Sequence, residues 1–247
     1  MSSKQNQIIF GFHSVESLIK NDPVNILQLL VEKNRSDKRI VQLINYAESQ
    51  GISVEYLKKT DIEKQAESKK TQGVAVRYKA SAQKPSKSLD QILQKENAFL
   101  LVLDGVTDPH NLGACLRTAD AAGIDAVIVP KDRAAGLTPT ARKVACGAAE
   151  SVPFFQVTNL ARTLKGLKDH DVWITGTAGE AENNLYDVQF AGKIALIMGA
   201  EEKGMRRLTR ENCDQLVKLP MAGQVESLNV SVATGVCLFE IVRQRSL

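Results

Sequence analysis

Beyond Asn97 the chain alternates short, continuously apolar runs with segments of helical periodicity, and this alternation limits the fold more than any other feature. The apolar runs predict strands at Phe99–Leu103, Ala126–Val129, Val172–Thr175, Ile194–Met198 and Leu216–Leu219. Strands that are apolar on both faces are typical of a parallel sheet covered by helices on both sides. The sequence therefore predicts an α/β fold with a parallel sheet, and helices on both faces, over residues 97–247.

The last helical segment, from about Leu228 to Arg243, is apolar almost all round. A helix without a polar face needs cover on every side. Two interpretations stay open: the helix is central to its domain, or it forms part of a subunit interface.

Residues 1–80 follow a different pattern, in which short apolar runs are separated by amphipathic stretches. The runs are Ile8–Phe10, Ile26–Val31, Ile52–Leu57 and Gly73–Tyr78. This pattern predicts a small α/β domain over residues 1–80. The polar segment that follows begins with Ser81–Ser88 and has no periodicity, so residues 81–96 are interpreted as a linker.

The excess of positive charge lies in the N-terminal part of the chain. Residues 1–97 carry 16 Lys and Arg against 11 Asp and Glu, whereas residues 98–247 carry 16 against 17. This asymmetry indicates that the N-terminal part contacts a polyanion, although an ordinary solvated surface explains the charge count equally well.

The cysteines and the N-terminus limit the class of protein. The four cysteines are far apart, form no C-x-x-C pair and lie in or beside apolar segments, which is typical of reduced core thiols and gives no metal-ligand spacing. They are Cys115, Cys146, Cys213 and Cys237. No window approaches the roughly 18 apolar residues of a membrane span, and the N-terminus lacks a signal peptide. We expect a soluble cytoplasmic protein with no metal and no membrane partner.

The first of three unusual loops follows the strand Phe99–Leu103. It contains Asn111, a good N-cap for the Ala-rich helix that ends before Gly123. The helical period leaves Arg117 off the buried face, where it either grips a phosphate or is simply solvated. His110 is interpreted as an ordinary loop histidine.

The second loop, from Gly199 to Arg206, follows the strand Ile194–Met198. The loop is similar to a Walker A loop, because four residues separate its two glycines. However, Met205 and Arg206 stand where the phosphate-binding Lys and the hydroxyl should be, and Glu201 would repel a triphosphate. A nucleotide triphosphatase is therefore disfavoured, and the absence of G-x-G-x-x-G after any strand disfavours a dinucleotide site.

The third segment runs from Leu219 to Gly235. Ser227 and Asn229 begin a helix after a Gly-containing loop. Capping explains Ser227 alone, but Asn229, Ser231 and Thr234 put polar atoms into an apolar helix, where each needs a partner or a ligand.

The three segments read N-x-G-x-x-x-R-T-A, G-A-E-x-x-G-M-R and S-L-N-V-S-V-A-T-G, and together they resemble the SpoU (TrmH) family of RNA ribose methyltransferases. The similarity extends over nearly the whole chain, including the elements Gly11-Phe-His13 and Gln72-Gly73. The resemblance implies a C-terminal domain with a trefoil knot of the SPOUT type, an N-terminal domain like ribosomal protein L30e, and a homodimer with the active site near the subunit interface.

The resemblance also implies S-adenosylmethionine as methyl donor and the 2′-hydroxyl of a guanosine in 23S rRNA as acceptor, in free RNA or in a large-subunit assembly intermediate. The same chemistry on transfer RNA and a non-catalytic RNA-binding scaffold are the alternatives. The residues that it implies for cofactor binding are Thr177, Ala178, Gly199, Ala200, Leu219, Met221, Leu228 and Ala233.

For catalysis the resemblance implies Asn111, Arg117, Glu201, Ser227 and Asn229. Because guanidinium is a poor proton acceptor, we interpret Arg117 as a phosphate anchor that stabilises the developing alkoxide. We expect a further set of basic residues to contact RNA phosphates: His13, Lys33, Arg35, Lys38 and Arg39.

Overall fold

The computed structural model describes residues 6–79, 88–200 and 203–246. Within these residues the chain forms two compact units. The first comprises residues 6–79 and 142–151, and the second comprises residues 88–141, 152–200 and 203–246. The division into domains at 1–80, 81–96 and 97–247 stays a prediction.

The first unit is built on a four-stranded mixed sheet in the order β1-β4-β2-β3. Strand β4 is antiparallel to β1 and β2, and β2 is parallel to β3. The strands are β1 (Asn6–Phe10), β2 (Ile26–Glu32), β3 (Val54–Leu57) and β4 (Val74–Lys79), and the helices are α1 (Phe12–Asn21), α2 (Lys38–Ser49) and α3 (Lys59–Gln65). The prediction of a small α/β domain at the N-terminus is confirmed.

A later part of the chain packs with this first unit. It contains the end of α6 (Pro139–Ala145) and all of α7 (Ala148–Ser151). Arg142 donates a 2.6 Å hydrogen bond to Glu150, and the two side chains are only 8% and 1% exposed. Burial raises the pKa of the Glu150 carboxyl, and the Arg142 guanidinium opposes this rise.

The second unit is built on a seven-stranded sheet in the order β7-β6-β5-β10-β8-β11-β9, and every strand pair in it is parallel. The strands are β5 (Phe99–Asp104), β6 (Ala126–Pro130), β7 (Phe154–Val157), β8 (Trp173–Thr177), β9 (Asn183–Asn184), β10 (Ile194–Gly199) and β11 (Gln215–Lys218). The predicted parallel sheet is confirmed. The trefoil knot stays a prediction.

Five helices lie wholly in the second unit as the structure describes it: α4 (Leu89–Leu93), α5 (Pro109–Ala121), α8 (Leu160–Lys168), α9 (Arg207–Glu211) and α10 (Val230–Arg245). Helix α4 falls within the predicted linker, whose residues 81–87 lie outside the described part of the chain. A reciprocal capping box between Ser88 and Gln91 begins α4. Ile92 and Leu93 are buried in the core of the second unit, so residues 89–93 are not extended linker.

The predicted start of α5 at Asn111 is wrong, and the predicted start of α10 at Ser227 and Asn229 is right only for Asn229. Helix α5 is capped by Asp108, whose side chain accepts from the backbone N–H of His110, and Pro109 occupies the first turn, so Asn111 lies inside the helix. Helix α10 is capped by Asn229, whose side chain accepts from the backbone N–H of Ser231. Ser227 lies in the loop before it.

All four cysteines are free thiols, but only two belong to the core. Cys115 and Cys237 are buried, and burial raises the pKa of Cys237 to about 12. Cys213 is half-buried and Cys146 is exposed. The expectation of four core thiols is therefore wrong for Cys146, which follows the last residue of α6 with a positive φ of 52°.

Helix α10 packs against α5, and its C-terminal end is tied to the segment after the strand β9. Gln244 accepts from the backbone N–H of Phe190 and donates to the carbonyl of Val188, both at 3.0 Å. Within the single chain, Val232 and Phe239 on α10 are 53% and 49% exposed. No helix within residues 6–79, 88–200 and 203–246 is long and apolar enough to cross a membrane.

Candidate active site

The site lies where neighbouring parallel strands end at one edge of the sheet. Strand β10 lies between β5 and β8, and β11 lies on the other side of β8. Since parallel strands end at the same edge, the loops that follow them meet there. Binding crevices of open α/β sheets form at this edge.

A cavity of about 500 Å³ opens among these loops in the second unit. This volume falls in the range of small-molecule sites, roughly 300–1,000 Å³. The residues that line it are Thr177, Ala178, Gly179, Glu180, Met198, Gly199, Ala200, Lys203, Gly204, Met205, Arg210, Val217, Lys218, Leu219, Met221, Glu226, Ser227, Leu228, Val230 and Ala233. All eight residues predicted to bind the cofactor are among them, together with Ser227.

The wall formed by the loop after β10 depends on a close approach of backbone to backbone. The backbone N–H groups of Ala200 and Gly204 each donate to the carbonyl of the other residue, at 3.0 and 2.9 Å. A Cβ atom at Gly199 would lie 2.4 Å from the carbonyl carbon of Gly204 and 2.5 Å from the nitrogen of Met205. Only glycine fits at position 199 without moving this loop.

The cavity combines apolar walls with a charged rim. Met198, Leu219 and Leu228 supply apolar surface. At the rim, the Arg210 guanidinium donates to the Glu180 carboxylate and thereby lowers the pKa of that carboxyl. Such a site suits a ligand that has an apolar part and charged groups of both signs.

Two of the predicted catalytic residues contact each other beside the cavity. The Asn229 amide nitrogen donates a 3.1 Å hydrogen bond to Asn111 Oδ1. The Asn229 oxygen accepts from the backbone N–H and the hydroxyl of Ser231, at 2.9 and 2.6 Å. This contact joins the first turn of α5 to the start of α10.

The structure does not bring all predicted catalytic residues into the cavity wall. Arg117 is exposed on α5 and is not among the lining residues. Glu201 lies outside the described residues, so its position is a prediction from the sequence alone.

The predicted RNA-contacting residues lie in the first unit, where two pairs form. The Arg39 guanidinium lies 3.9 Å above the centre of the Phe12 ring, and its Nη2 lies 3.5 Å from His13 Nδ1. Arg35 donates a 2.6 Å hydrogen bond to Asp37 and thereby lowers the pKa of that carboxyl. Lys33 and Lys38 are exposed.

Sequence reasoning missed several cavity residues, among them Glu180, Lys203, Arg210 and Glu226. Their only signal was proximity to the ends of β8, β10 and β11. In the part of the chain that the structure describes, no three His, Cys, Asp or Glu side chains form a group that could hold a metal ion.

In this arrangement, loops at the carboxyl edge of a parallel sheet bring the second and third segments into one cavity wall, and Asn229 joins the first segment to them through Asn111. These features define a recognisable class. Residues 98–239 match the SpoU rRNA Methylase family, and residues 8–84 match the family described as RNA 2′-O ribose methyltransferase substrate binding. The chain belongs to the SpoU rRNA Methylase family.

Among individual proteins, the chain is similar to curated relatives named 23S rRNA (guanosine-2′-O-)-methyltransferase RlmB. It is 57% identical to the protein of Haemophilus influenzae over 239 residues, which cover 96% of this chain and 97% of the relative. It is 54% identical to the protein of Escherichia coli K12 over 242 residues, which cover 98% of this chain and 100% of the relative.

A solved structure supports the fold. The SpoU methyltransferase AviRb from Streptomyces viridochromogenes, crystallised with the cofactor AdoMet, superposes with a TM-score of 0.82 at 23% identity. The superposition covers 98% of this chain and 91% of that one.

Proposed function

We propose that this protein transfers the methyl group of S-adenosylmethionine to the ribose 2′-hydroxyl of a specific guanosine in 23S rRNA, as a homodimer in the bacterial cytoplasm. The observation that carries the proposal is that segments distant in sequence line a single cavity. The identity to RlmB proteins over nearly their whole length selects the RNA substrate.

The cavity fits S-adenosylmethionine in size and chemistry. Its apolar walls suit the adenine ring. When bound, S-adenosylmethionine supplies a methyl group on a positively charged sulfur. The lining carries charges of both signs, the carboxylates of Glu180 and Glu226 and the cations of Lys203, Arg210 and Lys218, and this mixture suits the zwitterionic amino-acid part of the donor.

The catalytic task of the protein is to align a weakly acidic ribose oxygen with the methyl carbon. In this proposal, Arg117 binds the substrate phosphate and stabilises the oxyanion as the proton leaves to water or to that phosphate. Asn111 and Asn229, which already contact each other, position the substrate with Ser227. Glu201 is assigned to the same group by its place in the second segment.

A second copy of the chain is proposed to cover the exposed apolar side chains of α10. Val232 and Phe239 are about half exposed on a helix that carries no charged residue before Glu240. Burying them between two subunits removes apolar surface from water.

Incorporation of labelled methyl groups tests the proposed activity. Purified protein with S-adenosylmethionine is expected to label 23S rRNA fragments at one guanosine ribose, and to leave transfer RNA unlabelled. The modified nucleotide is identified by nuclease mapping, since a 2′-O-methyl group blocks hydrolysis of the adjacent phosphodiester. Labelling of transfer RNA alone, or of neither RNA, would contradict the proposal.

The exposed basic residues of the first unit are expected to set the salt dependence of RNA binding. Each phosphate contact contributes about 0.7–0.9 to the slope of log affinity against log salt. Replacing Lys33, Lys38 and Arg39 with alanine should therefore reduce the slope by about 2–3. The measurement is RNA affinity between low and moderate salt.

The matched control removes the same charge from the second unit. Arg162, Lys165 and Arg207 are exposed on α8 and α9. Their alanine variants should leave the slope nearly unchanged. An equal fall of the slope in both triple variants would mean that the first unit is not the specific phosphate-binding surface.

A further inference from the structure

One buried residue, Asp104, contacts both ends of the cavity loop that begins at Gly199. Its backbone pairs with the start of the loop, and its carboxylate contacts the end. Asp104 is the last residue of β5, and its backbone pairs in parallel register with Gly199, the last residue of β10. Its Oδ2 accepts a 2.8 Å hydrogen bond from the backbone N–H of Arg206. Its Oδ1 lies 3.4 Å from Nε of the same arginine. The start and the end of the loop are therefore both fixed to Asp104.

Fold stability alone does not account for a charge at this position. The Asp104 side chain is fully buried, whereas Arg206 is 40% exposed. Burying a charge costs desolvation energy, and an apolar residue of similar size would not incur that cost. A buried ion pair is therefore weak evidence that the pair stabilises the fold. What the carboxylate adds is a directional link to one residue at the end of the loop.

The same arginine also reaches the neighbouring loop. Arg206 Nη2 donates a 3.1 Å hydrogen bond to the carbonyl of Asp132, which follows β6. Three residues further, the backbone N–H of Ala135 donates to the carbonyl of Val106 at 2.8 Å. Val106 precedes α5, the helix that carries Asn111. The contacts thus connect the cavity loop to the segment that leads into the candidate catalytic helix.

We propose that Asp104 and Arg206 are positioning residues that hold the described parts of this loop, residues 199–200 and 203–206, in the conformation that binds the methyl donor. Met198, Gly199, Ala200, Lys203, Gly204 and Met205 line the cavity, so the shape of this loop sets the shape of the site. The identity of the ligand rests on the proposed function, but the bracing of the loop does not.

Limited trypsin digestion without any ligand tests the brace independently of the activity. Lys203 is exposed in the loop and gives a fragment that mass spectrometry identifies. In the full-length protein, Asp104→Asn keeps the size of the side chain but removes its charge. Cleavage after Lys203 should accelerate about tenfold or more, because hydrogen bonds to charged groups are among the stronger ones.

The control for this digestion is Glu211→Gln, which also replaces a carboxylate with an amide. Glu211 lies at the C-terminal end of α9, whereas Arg206 precedes its N-terminal end. Glu211 is exposed and pairs with Arg207 of its own helix. Its variant should be cleaved after Lys203 at the wild-type rate. Equal cleavage rates in the Asp104 variant and the control would overturn the brace.

Calorimetric titration with S-adenosylmethionine and steady-state kinetics test the consequence for the site. Arg206→Met and Asp104→Asn should each raise the Kd about 10- to 100-fold while kcat at saturating cofactor changes less than about threefold. Arg206→Lys should restore part of the affinity. The effects of the double variant should be less than additive, because each single change removes the same ion pair between Asp104 Oδ1 and Arg206 Nε.

Arg207→Met is the matched control, since it changes the adjacent, 78% exposed arginine. It should bind the cofactor like the wild type. If the Arg206 and Asp104 variants bound S-adenosylmethionine with wild-type affinity, this inference would be overturned and the proposed function would stand. Failure of the wild type to bind S-adenosylmethionine would instead overturn the proposed function, while the digestion would still decide whether the brace exists.

Discussion

Replacing Arg117 with alanine is expected to lower kcat for RNA methylation by about 10²–10³, the range seen when one donor to a developing oxyanion is removed. The expected cause is loss of a fixed positive charge beside the ribose oxygen. Arg117 lies outside the cavity wall, so the Kd for S-adenosylmethionine should not change. The measurements are single-turnover methylation of 23S rRNA fragments and calorimetric titration of the cofactor.

Two further variants separate the roles of charge and geometry at this position. Arg117→Lys keeps the charge but not the planar fork of donors, so it should retain part of the activity. Arg162→Ala, which removes an exposed arginine from α8, should retain all of it. If Arg117→Ala methylated RNA at the wild-type rate, Arg117 would have no part in the mechanism.

The sheet of the second unit was predictable because its central strands are buried on both faces. Leu100, Val102 and Leu196 are fully buried, and such runs stand out from any helical pattern. The edge strands were not predictable in the same way. Strand β7 is mostly half-exposed and β9 has only two residues, so neither carries an apolar run long enough to be recognised.

The helix starts show a different limit of sequence reasoning. Asn111 and Asp108 are both good N-cap residues, and the choice depended on Pro109, which is tolerated in the first turn because its missing N–H has no partner there. Similarly, Ser227 and Asn229 are both good N-cap residues. Asn229 is the cap because its side chain accepts a hydrogen bond from the backbone N–H of Ser231. The residue types were informative, but the exact turn was decided by geometry.

The residues of the cavity could be predicted only from the resemblance of this chain to a known family. Spacing alone could not show that Thr177, Gly199, Leu219 and Leu228 meet, because they follow or precede different elements of the sheet. Nor could it show that Asp104 reaches Arg206 across 102 positions of sequence. Long-range contacts of this kind follow from the order of strands, in which β10 is inserted between β5 and β8.

A large effect on cofactor binding is expected from the addition of a single methyl group to the cavity wall, in Gly199→Ala. The added Cβ would lie within 2.5 Å of two backbone atoms, the carbonyl carbon of Gly204 and the nitrogen of Met205. Backbone atoms in a hydrogen-bonded loop cannot rotate away as a flexible side chain can. Overpacking of this kind costs about 1–3 kcal/mol, so the affinity for S-adenosylmethionine should fall about 10- to 100-fold.

Gly166→Ala provides a matched control for the same chemical change. At Gly166, inside α8, an added Cβ meets no atom within 4 Å. That variant should keep the wild-type affinity for S-adenosylmethionine and gain up to about 1 kcal/mol in stability, because alanine favours helix. Calorimetric titration and urea unfolding measure both quantities. If Gly199→Ala bound S-adenosylmethionine with wild-type affinity, the loop displaced by the Cβ would still accept the same ligand. The backbone contact at position 199 would then not shape the binding site.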